Sequence, residues 1–145
     1  MKERFETFTV LINRISRNIR KIKNQEMSEY NLRSAHVSCL YYIYSLESAT
    51  ATDLCERCEE DKATISRALE YLETNGFITR DAERYKSPVL LTAKGLEAGK
   101  KIADKIHGVL DQISVGLTEV ERIAFYRSLS IISESLDAVS KNGEK

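Results

Sequence analysis

The segment KATISR, residues 62–67, places polar and basic side chains on the first two turns of a predicted helix. Lys62 and Arg67 can reach phosphates, and Arg67 can also form paired hydrogen bonds with a guanine. The hydroxyls of Thr64 and Ser66 can donate to phosphates or to base edges. Free N–H groups at such a helix end also favour anions. The sequence therefore predicts that these four side chains contact DNA in a major groove.

Further basic residues follow in a segment that is predicted to form a two-stranded ribbon. Strand-like runs at 77–80 and 88–91 flank the sequence DAERYKS. Arg80 lies at the base of this ribbon, and Arg84 and Lys86 lie at its tip. A ribbon beside a seated recognition helix can follow the minor groove or the DNA backbone. We therefore predict that these three residues contact DNA as well.

Two short helices must position the polar segment. Thr50 and Asp53 have a spacing close to that of a capping box, which predicts a helix at about 51–58. Asp61 is predicted to cap the next helix, which Gly76 ends. The apolar stripe expected to bury this second helix consists of Ile65, Leu69 and Leu72. Two short helices followed by a ribbon make a winged helix-turn-helix.

Longer helices are predicted on both sides of this module. Apolar residues at steps of three and four indicate a first helix over 3–24 and a second helix that Ser34 could cap. The same periodicity indicates a fifth helix that begins at Thr92 and a last helix that begins at the capping box TEVE, residues 118–121. The stripe of the first helix is Phe5, Phe8, Ile12, Ile15, Ile19 and Ile22, and that of the last is Phe125, Leu129, Ile132, Leu136 and Val139. These seams are longer than one small winged module needs to bury, so they predict a homodimer.

The fifth helix has a predicted stripe that glycines interrupt. The stripe consists of Leu96, Ile102, Ile106, Val109, Ile113 and Leu117. Gly95, Gly99 and Gly108 are expected to weaken this helix, because glycine is a poor helix former.

The composition is that of a single helical domain. The chain has 145 residues, of which 42% are hydrophobic, and it contains one proline. Lys plus Arg equals Asp plus Glu at 22 each, so net charge argues neither for nor against nucleic acid. No nucleophile elbow, phosphate loop or paired-carboxylate motif is present, so neither enzymatic activity nor a cofactor or metal is predicted. The absence of a signal peptide or membrane-length apolar run predicts a cytoplasmic protein with reduced cysteines.

Three cysteines leave an alternative open. Cys55 and Cys58 form a single CxxC, which is a weak metal signal without a second pair. Ordinary packing is the simpler interpretation, and oxidant or zinc sensing is the alternative. Cys39, within the second helix, is expected to be a small core residue.

The chain resembles the MarR family of transcriptional regulators over nearly its whole length. The resemblance is carried by TATDLCERCEEDKATISRALEYLETNGFI, then RDAERYKSPVLLTAKG, then LTEVE at the start of the last helix. The most telling piece is Leu91, Thr92 and Gly95 after the wing. The resemblance implies a mainly α fold with a small β-wing in one domain over 1–145. About 34–92 would form the winged helix, and about 3–24 and 93–140 would form the dimerisation helices.

The same resemblance implies how the protein works. A homodimer would place two winged modules on a pseudo-palindromic DNA site, and a small aromatic or lipophilic effector would modulate binding. His36 and Tyr41 lie near the expected effector pocket. The predicted function is a sequence-specific DNA-binding regulator that acts as a repressor. The alternatives are a winged-helix module for protein–protein contact, suggested by the acids in CEEDK, and a thiol- or zinc-sensing regulator.

Overall fold

A computed structural model describes residues 2–58, 60–81 and 87–143. The chain divides into two compact units, Met1–Lys105 and Ile106–Lys145. The helices are α1 (Lys2–Glu26), α2 (Ser34–Ser45), α3 (Ala51–Cys58), α4 (Lys62–Thr74), α5 (Ala93–Ile113) and α6 (Glu119–Gly143), and the strands are β1 (Ile78–Thr79) and β2 (Leu90–Leu91). The predicted mainly helical fold with a small β-wing is confirmed. A 3₁₀ turn at Ser28–Tyr30 joins α1 to α2.

The two short helices begin where their capping residues predicted. The Thr50 N–H donates to Asp53 Oδ2 at 2.9 Å, and the Asp53 N–H donates back to Thr50 Oγ1 at 3.2 Å. Asp61 Oδ1 accepts the Thr64 N–H at 2.6 Å at the start of α4. Gly76 follows the helix with φ of 79°, the left-handed conformation that terminates helices at glycine. Local capping chemistry therefore determines the boundaries of both helices.

The core of the first unit is built from α2, α3, α4, the start of α5, the connection between α1 and α2, and the residues around the strands. The predicted stripe of α4 is confirmed, since Ile65, Leu69 and Leu72 are all buried. The largest fully buried side chains of the unit are Phe77, Met27, Leu32, Leu40, Leu54, Ile65, Leu69, Leu72, Ile78, Ile102 and Cys39. One face of α4 is thereby fixed against the protein.

The ribbon is shorter than the two predicted strands. Ile78 pairs with Leu91 and Thr79 with Leu90 in an antiparallel register. The Val89 N–H also donates to the carbonyl of Ala49, at 2.8 Å. This bond ties the second arm of the ribbon to the residue just before Thr50 and α3.

The glycines of α5 permit close packing, whereas their sequence positions predicted only a weakened helix. A Cβ on Gly95 would lie 1.9 Å from the carbonyl oxygen of Phe77, and one on Gly99 would lie 2.9 Å from Cβ of Tyr44. The prediction for Leu96 was wrong, because this side chain is 55% exposed while both glycines are buried. In this first turn the helix therefore approaches its neighbours through its glycines, and the side of Leu96 faces solvent.

Thr92 connects this helix to the end of α4. Its Oγ1 donates to the carbonyl of Gly76 at 2.6 Å and accepts the Gly95 N–H at 3.1 Å. The Thr92 N–H donates to the Phe77 carbonyl at 3.1 Å. The Thr92–Gly95 motif is therefore a joint between α5 and the segment that follows α4.

The start of α2 differs from the expectation. Ser34 was expected to cap this helix, but it is the first helical residue, and its N–H donates to Asn24 Oδ1 at 2.7 Å. Arg33 occupies the cap position, and its N–H donates to Nδ1 of His36 at 3.0 Å. His36, three residues after the cap, therefore takes the role that Glu or Gln usually has at this position of a capping box.

The long outer helices expose much apolar surface. Most of the described positions of α1, and nearly all of α6, are exposed. In α6 the Thr118 N–H donates to Glu121 Oε2 at 2.8 Å, so the predicted capping box is present. Among the described helices, none has the length and apolar character needed to cross a membrane.

Candidate nucleic-acid interface

Helix α4 separates its side chains into a packed face and an open face. Ile65, Ala68, Leu69 and Leu72 are buried. Lys62, Ser66 and Arg67 are exposed, and Thr64 is half-buried between the two faces. The structure therefore brings the four predicted DNA-contacting residues together on the side of the helix that the core leaves open.

A carboxylate occupies the first turn of this open face. Asp61 accepts the Thr64 N–H, and this hydrogen bond holds the pKa of the Asp61 carboxyl below its usual range. The anion-binding capacity of the helix end is thus partly used by the protein itself. Positive charge for a phosphate must come from Lys62 and Arg67 instead.

Arg67 is held only loosely within the helix. Its Nη2 lies 3.4 Å from Thr64 Oγ1, a long hydrogen bond between two residues one turn apart. The guanidinium is exposed, so it can leave this contact and form a paired interaction with a base or a phosphate.

The acids before α4 do not all face the same way. Glu60 is half-buried, and its Oε1 lies 3.9 Å from Nη2 of Arg20 on α1. A pair at this distance contributes little stability, but it shows that the carboxylate is directed towards a basic helix. Glu59 lies outside the described residues.

Arg80 is the predicted ribbon residue that lies within the described part of the chain. Arg80 Nη2 lies 3.4 Å from Glu73 Oε1, which holds the guanidinium against the last turn of α4. The predicted tip residues Arg84 and Lys86 lie outside the described residues. The DNA contacts of all three remain predictions.

The structure adds Glu70 to the open face of α4. Glu70 is exposed, and it follows Ser66 and Arg67 by four and three residues, the spacing of neighbours on one helix face. A carboxylate here can accept from the amino group of a cytosine and would repel a phosphate. This spacing was visible in the sequence, so the residue could have been found there.

The two residues predicted for an effector pocket have different partners. His36 stacks on Tyr71, with 4.2 Å between ring centroids and 15° between ring planes. Burial, and then the nearby Arg33, lower the pKa of His36. Tyr41 meets Tyr42 edge-on at 5.1 Å. A shared ligand site for His36 and Tyr41 stays a prediction.

Metal-binding residues do not gather in the described part of the chain. There, no group of three or more His, Cys, Asp or Glu side chains is placed to hold a metal ion. His107, the second histidine, is exposed on α5 in the second unit.

Two short capped helices, the second with an open polar face, and a paired ribbon define a winged helix-turn-helix protein. Residues 32–84 match the model of the MarR family, which confirms over that part of the chain the resemblance drawn from its sequence. No curated protein matches the chain in sequence.

Solved structures of MarR-type proteins share the fold. A MarR family regulator from Listeria monocytogenes in complex with a 26mer DNA is 25% identical, with a TM-score of 0.78, over 86% of this chain and 85% of that one. A MarR family regulator from Silicibacter pomeroyi is also 25% identical, with a TM-score of 0.74, over 84% of each chain. The MepR–DNA complex of S. aureus has a TM-score of 0.79 at 19% identity, covering 89% of this chain and 97% of MepR. At 19% identity, the match to MepR supports the fold alone.

Proposed function

We propose that this protein is a sequence-specific DNA-binding transcriptional regulator that acts as a repressor. The observation that carries the proposal is the two-faced α4, which buries Ile65 and Leu69 and presents Ser66 and Arg67. A helix with this division can enter a major groove without exposing its core. The Listeria relative, solved with a 26mer DNA, supports the same use of the fold.

Helix α4 would read bases, and its neighbours would set its position. Arg67 is the residue best placed to fork onto a guanine, because it is exposed and only weakly held. Lys62 would contact the backbone at the helix start, and the ribbon would contact flanking phosphates or the minor groove. Glu60 is directed towards Arg20, so its repulsion of the DNA backbone would be reduced.

A homodimer would supply the second recognition helix. On α1, Leu11, Ile15 and Ile19 are each at least 45% exposed. On α6, Ile123 and Ile131 are more than half exposed. Apolar rows of this extent are typical of surfaces that a partner covers. A second copy of the chain would bury them and would match the two-fold symmetry of a pseudo-palindromic operator.

An effector would then act by changing the spacing of the two recognition helices. We propose a small aromatic or lipophilic molecule, as expected for this family, with His36 and Tyr41 as the first residues to test. Such a regulator works where the DNA is, so we propose the cytoplasm as its location.

Selection of bound duplexes from random DNA tests the function directly. An enriched pseudo-palindrome would give the half-sites and their spacing in one experiment. Anisotropy titrations of that duplex at several salt concentrations should show affinity that falls steeply as salt is added, because phosphate contacts release counterions. Failure to enrich any sequence, together with a flat salt response, would favour the protein–protein contact module. Light scattering that shows a monomer at micromolar concentration with DNA binding intact would contradict the dimer.

A further inference from the structure

One row of side chains on α4 lies opposite the stripe that the core buries. All four members of this row are exposed, and they are Ala63, Arg67, Glu70 and Thr74. They follow one another at steps of four, three and four residues, the spacing of neighbours along one side of a helix. With about 3.6 residues per turn, this row is centred on the side of α4 that faces away from the buried Ile65 and Leu72. It is therefore the part of the helix that would lie deepest in a major groove.

The charge of Glu70 distinguishes it from Glu73, the other acid of α4. Oε1 of Glu73 lies 3.4 Å from Nη2 of Arg80, so the charge of Glu73 is partly offset. Within the part of the chain that the structure describes, Glu70 takes part in no ion pair. An unpaired carboxylate in the row that faces DNA lowers affinity for every sequence, unless a base supplies a donor for it.

The edges of the four bases differ in whether they supply that donor. In the major groove guanine presents two acceptors, N7 and O6, and thymine presents the acceptor O4 and a methyl group. Adenine presents an amino group beside the acceptor N7, which a carboxylate cannot satisfy. Cytosine presents its N4 amino group and no acceptor of its own, so cytosine is the base that a carboxylate matches best.

The neighbours of Glu70 in the row determine where such a cytosine would lie. Arg67 precedes Glu70 by three residues, which is about 4.5 Å along the helix axis. Successive base pairs are about 3.4 Å apart, so the two side chains reach neighbouring base pairs more readily than the same one. Ala63 begins the row with a short side chain, so no bulky group there keeps Arg67 and Glu70 away from the base edges.

We propose that Glu70 selects a cytosine in the base pair next to the guanine that Arg67 contacts, and that it acts chiefly by excluding other bases. Its carboxylate accepts a hydrogen bond from N4 of cytosine, whereas the acceptors of guanine, thymine and adenine repel it. Specificity of this kind arises from unfavourable contacts with wrong sequences as well as from favourable contacts with the right one. The proposal rests on the proposed DNA-binding function and assigns to it half-sites that contain two successive G·C pairs.

Selection from random duplexes, carried out in parallel with wild type and with Glu70 variants, tests this assignment. Wild type should enrich two successive G·C pairs, and Glu70→Ala should retain the guanine of Arg67 but lose the preference at the neighbouring pair. Glu70→Gln should shift that preference towards adenine, because glutamine pairs with N6 and N7 of adenine. Glu73→Gln is the matched control, since it removes one negative charge from α4 outside the row, and it should enrich the wild-type site.

Removal of a single group from the DNA isolates the hydrogen bond itself. The selected cytosine is replaced by pyrimidin-2-one, which is cytosine without its 4-amino group. In anisotropy titrations wild type should lose roughly tenfold or more in affinity, and Glu70→Ala should lose much less. The comparison of the two proteins on the two duplexes is a double-mutant cycle, which subtracts the effect of the weakened base pair.

Exclusion makes a further demand that a structural role of Glu70 would not meet. On duplexes with thymine or guanine in place of the selected cytosine, Glu70→Ala should bind more tightly than wild type, because the repulsive carboxylate is gone. Both Glu70 variants should unfold at the wild-type midpoint, since Glu70 is exposed. If Glu70→Ala fails to fold, Glu70→Gln replaces it in each comparison.

Failure of this proposal is distinguishable from failure of the proposed function. Wild type that enriches no sequence would contradict both. An enriched site without successive G·C pairs, or an unchanged preference in Glu70→Ala, would overturn the role of Glu70 and leave the DNA-binding function intact. Equal losses by wild type and Glu70→Ala on the pyrimidin-2-one duplex would do the same.

Discussion

Replacing Gly95 with alanine tests the packing of α5 against the end of the helix-turn-helix. The added Cβ would lie 1.9 Å from the Phe77 carbonyl oxygen and 2.9 Å from its carbon, far inside van der Waals contact. Both obstacles are backbone atoms, so no side-chain rotation can relieve the clash. The Phe77 carbonyl also accepts the Thr92 N–H, and Phe77 is buried, so a shift disturbs the whole joint.

The expected loss of stability follows from three contributions. Overpacking of a tight site costs roughly 1–3 kcal/mol. Loss or weakening of the hydrogen bond from Thr92 to Phe77 adds about 0.5–1.5 kcal/mol. Alanine recovers roughly 0.5–1 kcal/mol of stability because its helix propensity is higher than that of glycine. We therefore expect the free energy of unfolding to fall by about 2 kcal/mol, the middle of these ranges, which lowers Tm by roughly 5–8 °C in a chain of this size.

Gly108→Ala provides the matched control in the same helix. A Cβ at Gly108 meets nothing within 4 Å, so only the helix propensity changes and stability should rise by roughly 0.5–1 kcal/mol. Gly99→Ala should fall between the two, since its Cβ would meet the Tyr44 side chain at 2.9 Å. Urea unfolding followed by circular dichroism, at one protein concentration because a dimer is proposed, measures all three. Equal effects at Gly95 and Gly108 would refute the reasoning, because propensity alone would then explain both.

Three further changes address recognition and pH. Arg67→Ala should weaken specific DNA binding by roughly 1–3 kcal/mol if Arg67 contacts a base, with an unchanged unfolding midpoint; equal losses of stability and binding would make Arg67 structural. Alanine at both Arg84 and Lys86 should weaken all DNA sequences about equally and lower the salt slope by about one unit per lost phosphate contact, whereas a wild-type slope would show that the wing misses DNA. Because the pKa of His36 is lowered in the folded state, the unfolded chain binds a proton at His36 more readily than the folded chain does. The contribution of neutral His36 to folding stability is therefore complete above about pH 6.5 and is lost as pH falls through the folded-state pKa. Wild type should therefore lose more stability than His36→Asn between neutral and mildly acidic pH in parallel urea titrations, and identical losses would contradict this.

Local signals predicted the helix-turn-helix well because each of its boundaries is set by neighbouring residues. Asp61 caps α4 through a bond to Thr64, and Gly76 ends it with a left-handed turn, so a few positions contain the necessary information. The open face of α4 followed from the same periodicity that predicted Ile65 and Leu69 as buried. These features depend on helix geometry alone, and the periodicity of a helix can be recognised in a short segment of the sequence.

Features that depend on distant residues were predicted poorly. Gly95 was predicted only to weaken its helix, because the sequence around it does not show that the Phe77 backbone approaches this position. Ser34 appeared to be a cap, but Asn24, ten residues earlier, takes its N–H. The role of a small or polar residue is determined by what the fold brings against it, and spacing along one helix does not contain that information.

The surroundings of the cysteines show the same limit. Spacing along α3 emphasised Cys55 and Cys58, yet residues one turn apart on a helix are held at a separation that the helix itself imposes. In the structure Cys58 is half-buried at the end of α3, whereas Cys39 is fully buried on α2, and Nζ of Lys23 on α1 donates to Oγ of Ser38, the residue before Cys39. Because α1 and α2 must meet before Lys23 gains this partner, the contact depends on the fold and cannot be seen from the spacing of residues along one helix.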